Sequence, residues 1–167
     1  AEAEGVADKV KFELMDYRDI EGTFDRISAV GLLEHVGTPH YPEFFSHTNR
    51  LLKPQGVMFT HCCGRTSPPG FTDKWTRKYI FPGGYIPAMS EVLPHIERAG
   101  LIVTDVEVLR LHYAETLKSW RERFIANRDR AKAIYDERFC RMWEFYLAGS
   151  DAALRWQDMV NLQFQIT

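Results

Sequence analysis

Glutamate, histidine and glycine fall together where a short apolar run ends, in Phe24-Asp-Arg-Ile-Ser-Ala-Val-Gly-Leu-Leu-Glu-His-Val-Gly37. Ile27, Ala29 and Val30 read as a strand that stops at Gly31, and Glu34-His35 follow at once. In an open parallel α/β sheet, ligands sit beyond the carboxyl ends of the strands. Gly31 there lets backbone approach a ligand, while Glu34 and His35 supply proton-handling groups. The plain alternative is a strand–helix connection with Glu34 as a first-turn acid. A second apolar run, Val57 to Thr60, ends in the same manner at His61-Cys-Cys-Gly64. One histidine at a strand end is ordinarily a satisfied structural residue, but two at equivalent ends point to a shared site. A third polar cluster, Asp16-Tyr-Arg-Asp19, closes an alternating segment. It reads either as a solvated loop or as a rim that holds a cofactor, with Tyr17 as a stacking surface.

The rest of the chain narrows the chemistry. There is no His-Glu-x-x-His or Cys-x-x-Cys metal motif and no Gly-x-Ser-x-Gly nucleophile elbow. No Gly-x-Gly-x-x-Gly cradles a nucleotide. The 167 residues suit one domain, and 45% hydrophobic residues suffice for a core. A formal net charge of −2 makes no electrostatic case for nucleic acid as a partner. Three cysteines, two of them adjacent, do not make a secreted disulfide framework, so a reducing cytoplasmic setting is expected. No apolar run approaches the roughly 20 residues of a membrane span. The chain begins at Ala1 in a polar, Ala-rich stretch like the tail of a helix, which suggests a piece of a longer protein.

The elements that must position these residues alternate. Val10 to Leu14 reads as a strand, then Arg26 to Val30, a helix from Pro42 to Leu52, and the strand Val57 to Thr60. Trp75 to Pro87 carries four aromatics and four Gly or Pro without a clean period, which suits an ordered lid or a greasy channel wall better than a helix. A helix from Ser90 to Ala99, a strand from Leu101 to Arg110 and a helix from Glu115 to Asn127 follow. The helix's other face carries Lys118, Arg121, Arg123 and Arg128, either a solvated basic face or one drawn to anionic lipid headgroups. Ala131 to Ala148 reads as a helix with Ile134, Phe139, Met142, Phe145 and Tyr146 facing inward, broken by Gly149-Ser150. A short helical piece from Ala152 to Trp156 and a strand from Met159 to Ile166 close the chain. The pattern is α/β with a largely parallel sheet. It is one domain with a lid insertion over about residues 65–90 and a helical insertion over about 115–150.

Several of these stretches coincide with a known pattern. Phe24-Asp-Arg-Ile with Val30-Gly-Leu-Leu-Glu-His-Val-Gly37, then Leu51-Leu-Lys-Pro-Gln-Gly56, His61-Cys-Cys-Gly64 and Lys78-Tyr-Ile-Phe-Pro-Gly-Gly-Tyr-Ile-Pro87 resemble the cyclopropane-fatty-acyl-phospholipid synthases and their mycolic acid relatives. His112-Tyr-Ala-Glu-Thr-Leu117, Trp120-Arg-Glu-Arg-Phe124 and Arg138-Phe-Cys-Arg-Met142 continue the match in order. The resemblance implies a class I S-adenosylmethionine-dependent methyltransferase fold of Rossmann type, truncated here because its first strands and their glycine-rich loop are missing. It implies a methylene transfer from S-adenosylmethionine to the cis double bond of a phospholipid acyl chain at the inner membrane surface, forming a cyclopropane ring. By the same resemblance Glu34, His61 and Tyr113, with the backbone near Cys63, hold a bicarbonate ion that acts as base. Asp16, Tyr17 and Arg18, with Val30 and Gly31, lie against the cofactor. Tyr79, Ile80, Phe81, Gly83, Gly84, Tyr85 and Ile86 line the acyl channel. A chain lacking the two strands next to Arg26–Val30 has a raw sheet edge, and a homodimer through that edge is expected. Two other readings stand beside this one. One is a non-enzymatic lipid- or partner-binding fragment; the other is a related methyl transfer to an acyl chain.

Overall fold

Phe24–Val30 forms strand β1, followed by a short helix α1 (Leu33–Val36), helix α2 (Tyr41–Leu51) and the long strand β2 (Leu52–Arg65). Helices α3 (Lys74–Tyr79) and α4 (Met89–Arg98) lead to β3 (Val103–Leu109). Then α5 (His112–Ala126), α6 (Arg128–Ile134) and α7 (Glu137–Trp156) precede β4 (Met159–Ile166) in this computed structural model, which describes residues 1–167. The four strands make one sheet in the order β1-β2-β4-β3. β1 and β2 pair in parallel, whereas β4 runs antiparallel to both β2 and β3. The α/β class holds, but the largely parallel sheet does not. The cause is the helical unit α5–α7: β3 runs into it and β4 leaves it at the same end of the sheet, so β4 must return the opposite way.

One face of the sheet is packed. Ala29, Met58, Cys62, Leu162, Phe164 and Ile166 project onto α2 and α4, where Tyr41, Phe44, Phe45, Val92 and Ile96 meet them. Burying each such side chain stabilises the fold by about 1.5–3 kcal/mol. The alternate residues Val30, Phe59, His61 and Gln163 turn to the other face and stay exposed or half-exposed. A second, smaller core of Ala114, Leu117, Leu147 and Leu154 joins α5 to α7. Ion pairs from Arg155 to Glu115 and Asp151 reinforce it.

Several expected boundaries move. Val10–Leu14 is not a strand: it pairs with nothing, and Phe12 and Leu14 are exposed. The helix tail expected at Ala1–Asp8 is a single 3-10 turn at Glu2–Glu4. β2 does not stop at Thr60 but carries His61-Cys-Cys-Gly64 within it, because β4 pairs with it as far as Arg65. Lys74–Tyr79 is helical, with Asp73 accepting from the backbone N–H groups of Trp75 and Thr76, so the lid segment is not wholly irregular. The helix at Met89 starts one residue before Ser90, and Glu91 rather than Ser90 takes the free N–H, that of Ala88. Gly149-Ser150 breaks nothing: α7 runs through to Trp156, and the break falls at Tyr135 and Asp136 instead. The helical unit therefore spans 112–156 rather than 115–150.

Candidate active site

β1 ends at Val30, and Gly31 turns away with φ +64°, its N–H donating to His61 O at 2.9 Å. β2 continues past this point, so its next outward N–H, that of Cys63, has no strand beside it. The Glu34 carboxylate fills the place: Cys63 N donates to Oε1 at 2.6 Å. The short helix α1 presents Glu34 there, anchored by the Tyr41 hydroxyl, which donates to Leu33 O at 3.1 Å. The other carboxylate oxygen, Oε2, is buried without a hydrogen-bond partner. A buried carboxylate oxygen is expensive to leave unpaired, so the site is built to receive a donor.

Phenols and thiols surround it. Burial, then the charges of Cys63 and Glu34, raise the Tyr113 phenol above its usual range. Tyr146 is pushed up to about 12 by burial and by its neighbours Tyr113 and Cys63. Burial first and Glu34 second push the Cys63 thiol up to about 12. Both phenols thus stay protonated donors across ordinary pH. His61 stands on the same strand face as Cys63, two residues back, with Nδ1 3.2 Å from Gln163 Nε2. Asn161 lies opposite Cys63 in the β2–β4 register, and its Oδ1 is also buried and unpartnered.

The structure therefore brings Glu34, Cys63 and Tyr113 together. It places His61 on the half-exposed face, held by Gln163 and in no hydrogen bond with the other three. Of the lid residues, Tyr85 is tied to the backbone of Glu34, donating its N–H to Glu34 O at 2.9 Å. Its hydroxyl donates to Glu91. Gly83 (φ +76°) and Gly84, whose carbonyl accepts from the Thr72 hydroxyl at 2.9 Å, shape the turn that delivers Tyr85. Phe81 packs edge-on against Tyr146 at 5.9 Å and His35 at 6.0 Å. Ile80 caps α3, and Ile86 O accepts from Arg65 Nε. Tyr79 turns instead to a groove against α7.

The third cluster is less open than its sequence suggests. Asp16 and Arg18 are spent on each other, at 2.7 Å. The Tyr17 ring packs edge-on against Phe44, and Tyr17 O accepts from or faces His47 Nε2 at 3.0 Å, so the segment is pinned to α2. By contrast Val30 is 65% exposed, and a side chain at Gly31 would meet nothing within 4 Å. Open space thus lies at the carboxyl end of β1. Tyr146, Glu91 and Asn161 were not legible as site residues: Tyr146 sits within an apolar period, Glu91 acquires meaning through the lid's Tyr85, and Asn161 through register.

The family profile described as mycolic acid cyclopropane synthetase matches residues 1–164. The chain is 39% identical over 159 residues to the tuberculostearic acid methyltransferase UfaA1 of Mycobacterium tuberculosis, covering 92% of this chain and 37% of that protein. It is 37% identical over 146 residues to the cyclopropane-fatty-acyl-phospholipid synthase of Escherichia coli K12, covering 87% of this chain and 38% of that one. It thus spans less than two fifths of either relative. Among solved structures, the cyclopropane synthase MmaA2 of Mycobacterium tuberculosis superposes with a TM-score of 0.86 at 25% identity, over 98% of this chain and 64% of that one. The synthase CmaA1, solved with S-adenosylhomocysteine and CTAB, superposes with a TM-score of 0.85 at 27% identity, again over 98% of this chain and 64% of that one. The fold is that of a class I S-adenosylmethionine-dependent methyltransferase, and the chain belongs to the mycolic acid cyclopropane synthetase family.

Proposed function

We propose that this chain is the carboxyl-terminal catalytic part of an enzyme that adds a one-carbon unit to the cis double bond of a lipid acyl chain, closing a cyclopropane ring. The observation that carries it is the Glu34 carboxylate, fixed by Cys63 N–H, with its second oxygen buried and unpartnered beneath Tyr113 and Tyr146. When bound, S-adenosylmethionine supplies the methyl group and bicarbonate supplies a base for the proton lost as the ring closes. The residues present fit such an anion. Glu34 Oε2 would hold the ion as an acceptor and the neutral Tyr113 phenol would hold it as a donor. His61 would reach it only by leaving Gln163. Val30 and Gly31 border the open space in which the methyl donor would sit, with Asp16–Arg18 as the rim we assign to it.

The remaining work belongs to the walls. Adding a methyl to a double bond leaves positive charge on the other carbon, and water reaching it would give an alcohol. The half-buried Tyr113 and Tyr146 would limit water there, and their ring faces would attract the cation by about 0.5–2 kcal/mol each. A fixed negative group in such a dry pocket is worth far more than in water. Binding acyl lipid puts the protein at a membrane surface without a span: no helix is long and apolar enough to cross one.

The test is to incubate the chain with methyl-labelled S-adenosylmethionine, bicarbonate and vesicles containing unsaturated acyl chains, and to identify the acyl product by mass spectrometry. A ring-bearing acyl chain supports the proposal. A methyl-branched one supports simple methyl transfer, the second reading, favoured by the resemblance to a fatty acid methyltransferase. No product, together with no binding of S-adenosylhomocysteine by calorimetry, supports a lipid-binding fragment.

A further inference from the structure

We propose that the groove between α3 and α7 seats the phosphate of an anionic glycerophospholipid headgroup and leads its acyl chain toward Glu34. This rests on the acyl-lipid reading above and names the part of the lipid that the protein grips.

The groove has a volume of about 590 Å³ and is walled by Trp75, Tyr79, Arg138, Arg141, Met142 and Phe145. Arg138, Arg141, Met142 and Phe145 fall at i, i+3, i+4 and i+7, one face of α7. It is not the core face: Cys140, Leu147 and Leu154 make that one. The sequence pattern had assigned Met142 and Phe145 to the core, yet Phe145 is 63% exposed. An apolar stripe left open on a helix this well packed elsewhere invites a ligand.

The charges in the groove are unbalanced. Arg128 and Arg155, on the same helical unit, are each engaged by two carboxylates. Arg138 and Arg141 make no ion pair; Arg138 faces the Tyr79 hydroxyl, which Lys78 first and Arg138 second hold below the usual phenol range. The one carboxylate in the lining, Asp73, is occupied at the amino end of α3, accepting from Trp75 and Thr76 N–H at 2.9 Å. From the other wall, Lys78 Nζ lies 5.0 Å from the Tyr79 ring centroid, and α3 carries Lys74, Arg77 and Lys78 with no acid. Guanidinium groups grip phosphate oxygens in pairs. In a chain whose formal net charge is −2, this is a local cationic seat.

The apolar surroundings select a lipid over a free phosphate. Trp75 and Phe145 stack edge-on at 4.8 Å across the groove, and Phe71 beside α3 is 84% exposed. Exposed aromatics next to cations mark a surface that meets a membrane interface. An aromatic path runs inward from there. Phe81 lies two residues beyond Tyr79, its ring is 5.9 Å from that of Tyr146, and Tyr146 neighbours Tyr113, which feels the Glu34 carboxylate.

The test is sedimentation of the 167-residue chain with vesicles of phosphatidylglycerol or of phosphatidylcholine, with and without millimolar inorganic phosphate. The double variant Arg138→Gln/Arg141→Gln should need about tenfold more phosphatidylglycerol for half-binding. The control Arg121→Gln/Arg123→Gln removes the same charge from exposed positions on α5 and should shift it far less. Arg138→Lys/Arg141→Lys, which keeps the charge, should retain part of the affinity. Equal loss in the two glutamine variants would overturn the proposal in favour of diffuse attraction. So would release by inorganic phosphate alone, or no binding to phosphatidylglycerol. Vesicle binding needs no methyl transfer, so the two readings fail separately. Groove-dependent binding without an acyl product overturns the reaction alone. Product formation with unaltered binding and activity in the Arg138→Gln/Arg141→Gln variant overturns the headgroup seat alone.

Discussion

Cys63 N–H meets a carboxylate because β1 ends before β2 does, so one side chain does the work of a missing strand carbonyl. That makes Glu34 structural as well as chemical, and two substitutions separate the roles. Glu34→Gln keeps an acceptor for Cys63 N–H and should change stability by less than about 1 kcal/mol. Glu34→Ala leaves a part-buried N–H unpaired and should cost about 1–3 kcal/mol in urea unfolding. Equal effects would mean that the bond does not support the fold. Rates should behave differently: both variants lose the negative group and should slow product formation about 10²–10³-fold. The adjacent thiols give a second check. Burial raises both Cys62 and Cys63, Cys63 to about 12, so neither should react with a disulfide reagent at pH 8 until the chain unfolds. An acid group raised by folding opposes ionisation, so its contribution is whole below the ordinary thiol value and is lost as pH climbs from there toward 12. Stability should fall over that alkaline window, and replacing Cys63 with Ser should flatten the fall. Glu34 at the end of β1 was legible from spacing, whereas His61, expected at a strand end, lies within β2. That Cys62 points into the core and Cys63 at the site was not legible, since it depends on which face of β2 the helices cover.

The lid turn and the helical unit carry the next predictions. Gly83 holds φ +76°, a left-handed conformation that costs a residue with a Cβ about 1–2 kcal/mol. Gly83→Ala should therefore loosen the turn that brings Tyr85 N–H to Glu34 O, seen as faster amide exchange at Tyr85. Unchanged protection would show that the turn tolerates the strain. On α7, Arg128 joins α6 to Glu137 at 2.6 Å and to Glu144 at 2.7 Å. That pairing, with Lys132, holds the Glu137 carboxyl near 2. A depressed acid stabilises the fold above its ordinary value and loses that contribution as pH falls through the folded one. The difference in melting temperature between the wild type and Glu137→Gln should thus be present at pH 7, shrink below about 4.5 and vanish near 2. The expected helix break at Gly149-Ser150 failed for a related reason. A mid-helix Gly costs only about 1 kcal/mol, and Leu147 and Leu154, packed on α5 either side of it, outweigh that. Val10–Leu14 failed the opposite way: its alternation suits a strand, but a strand requires a neighbour, and none lies beside it.

At the scale of the molecule, the sheet is packed on one face and leaves β1 as an edge strand paired on one side alone. β1 borders nothing on its outer side, and Val30, with Phe24 41% exposed at its other end, lies along that margin. The α/β class and the helices over about 42–52, 90–99 and 115–127 were legible from period and punctuation, whereas α1 and α3 were not. The antiparallel return of β4 was not, because pairing between residues 57–65 and 159–166 is set by where the helical unit stacks rather than by any local pattern. Two features do guard the edge. Arg26 places a charge on it, and Asp25 is tied to Lys53 at 2.8 Å, which fits the charged edges that discourage pairing. They leave Ser28 to Val30 open, so two copies can pair there, each donating the same strand to the other as a two-fold contact requires. Gel filtration with light scattering at micromolar protein should therefore give the mass of two chains. Ser28→Lys, at an exposed position in the middle of the margin, should shift the equilibrium toward one chain without altering the melting temperature at high dilution. A single-chain mass for the unaltered protein would remove self-pairing, and would mean that Arg26 and the Asp25–Lys53 pair suffice to keep the edge in water.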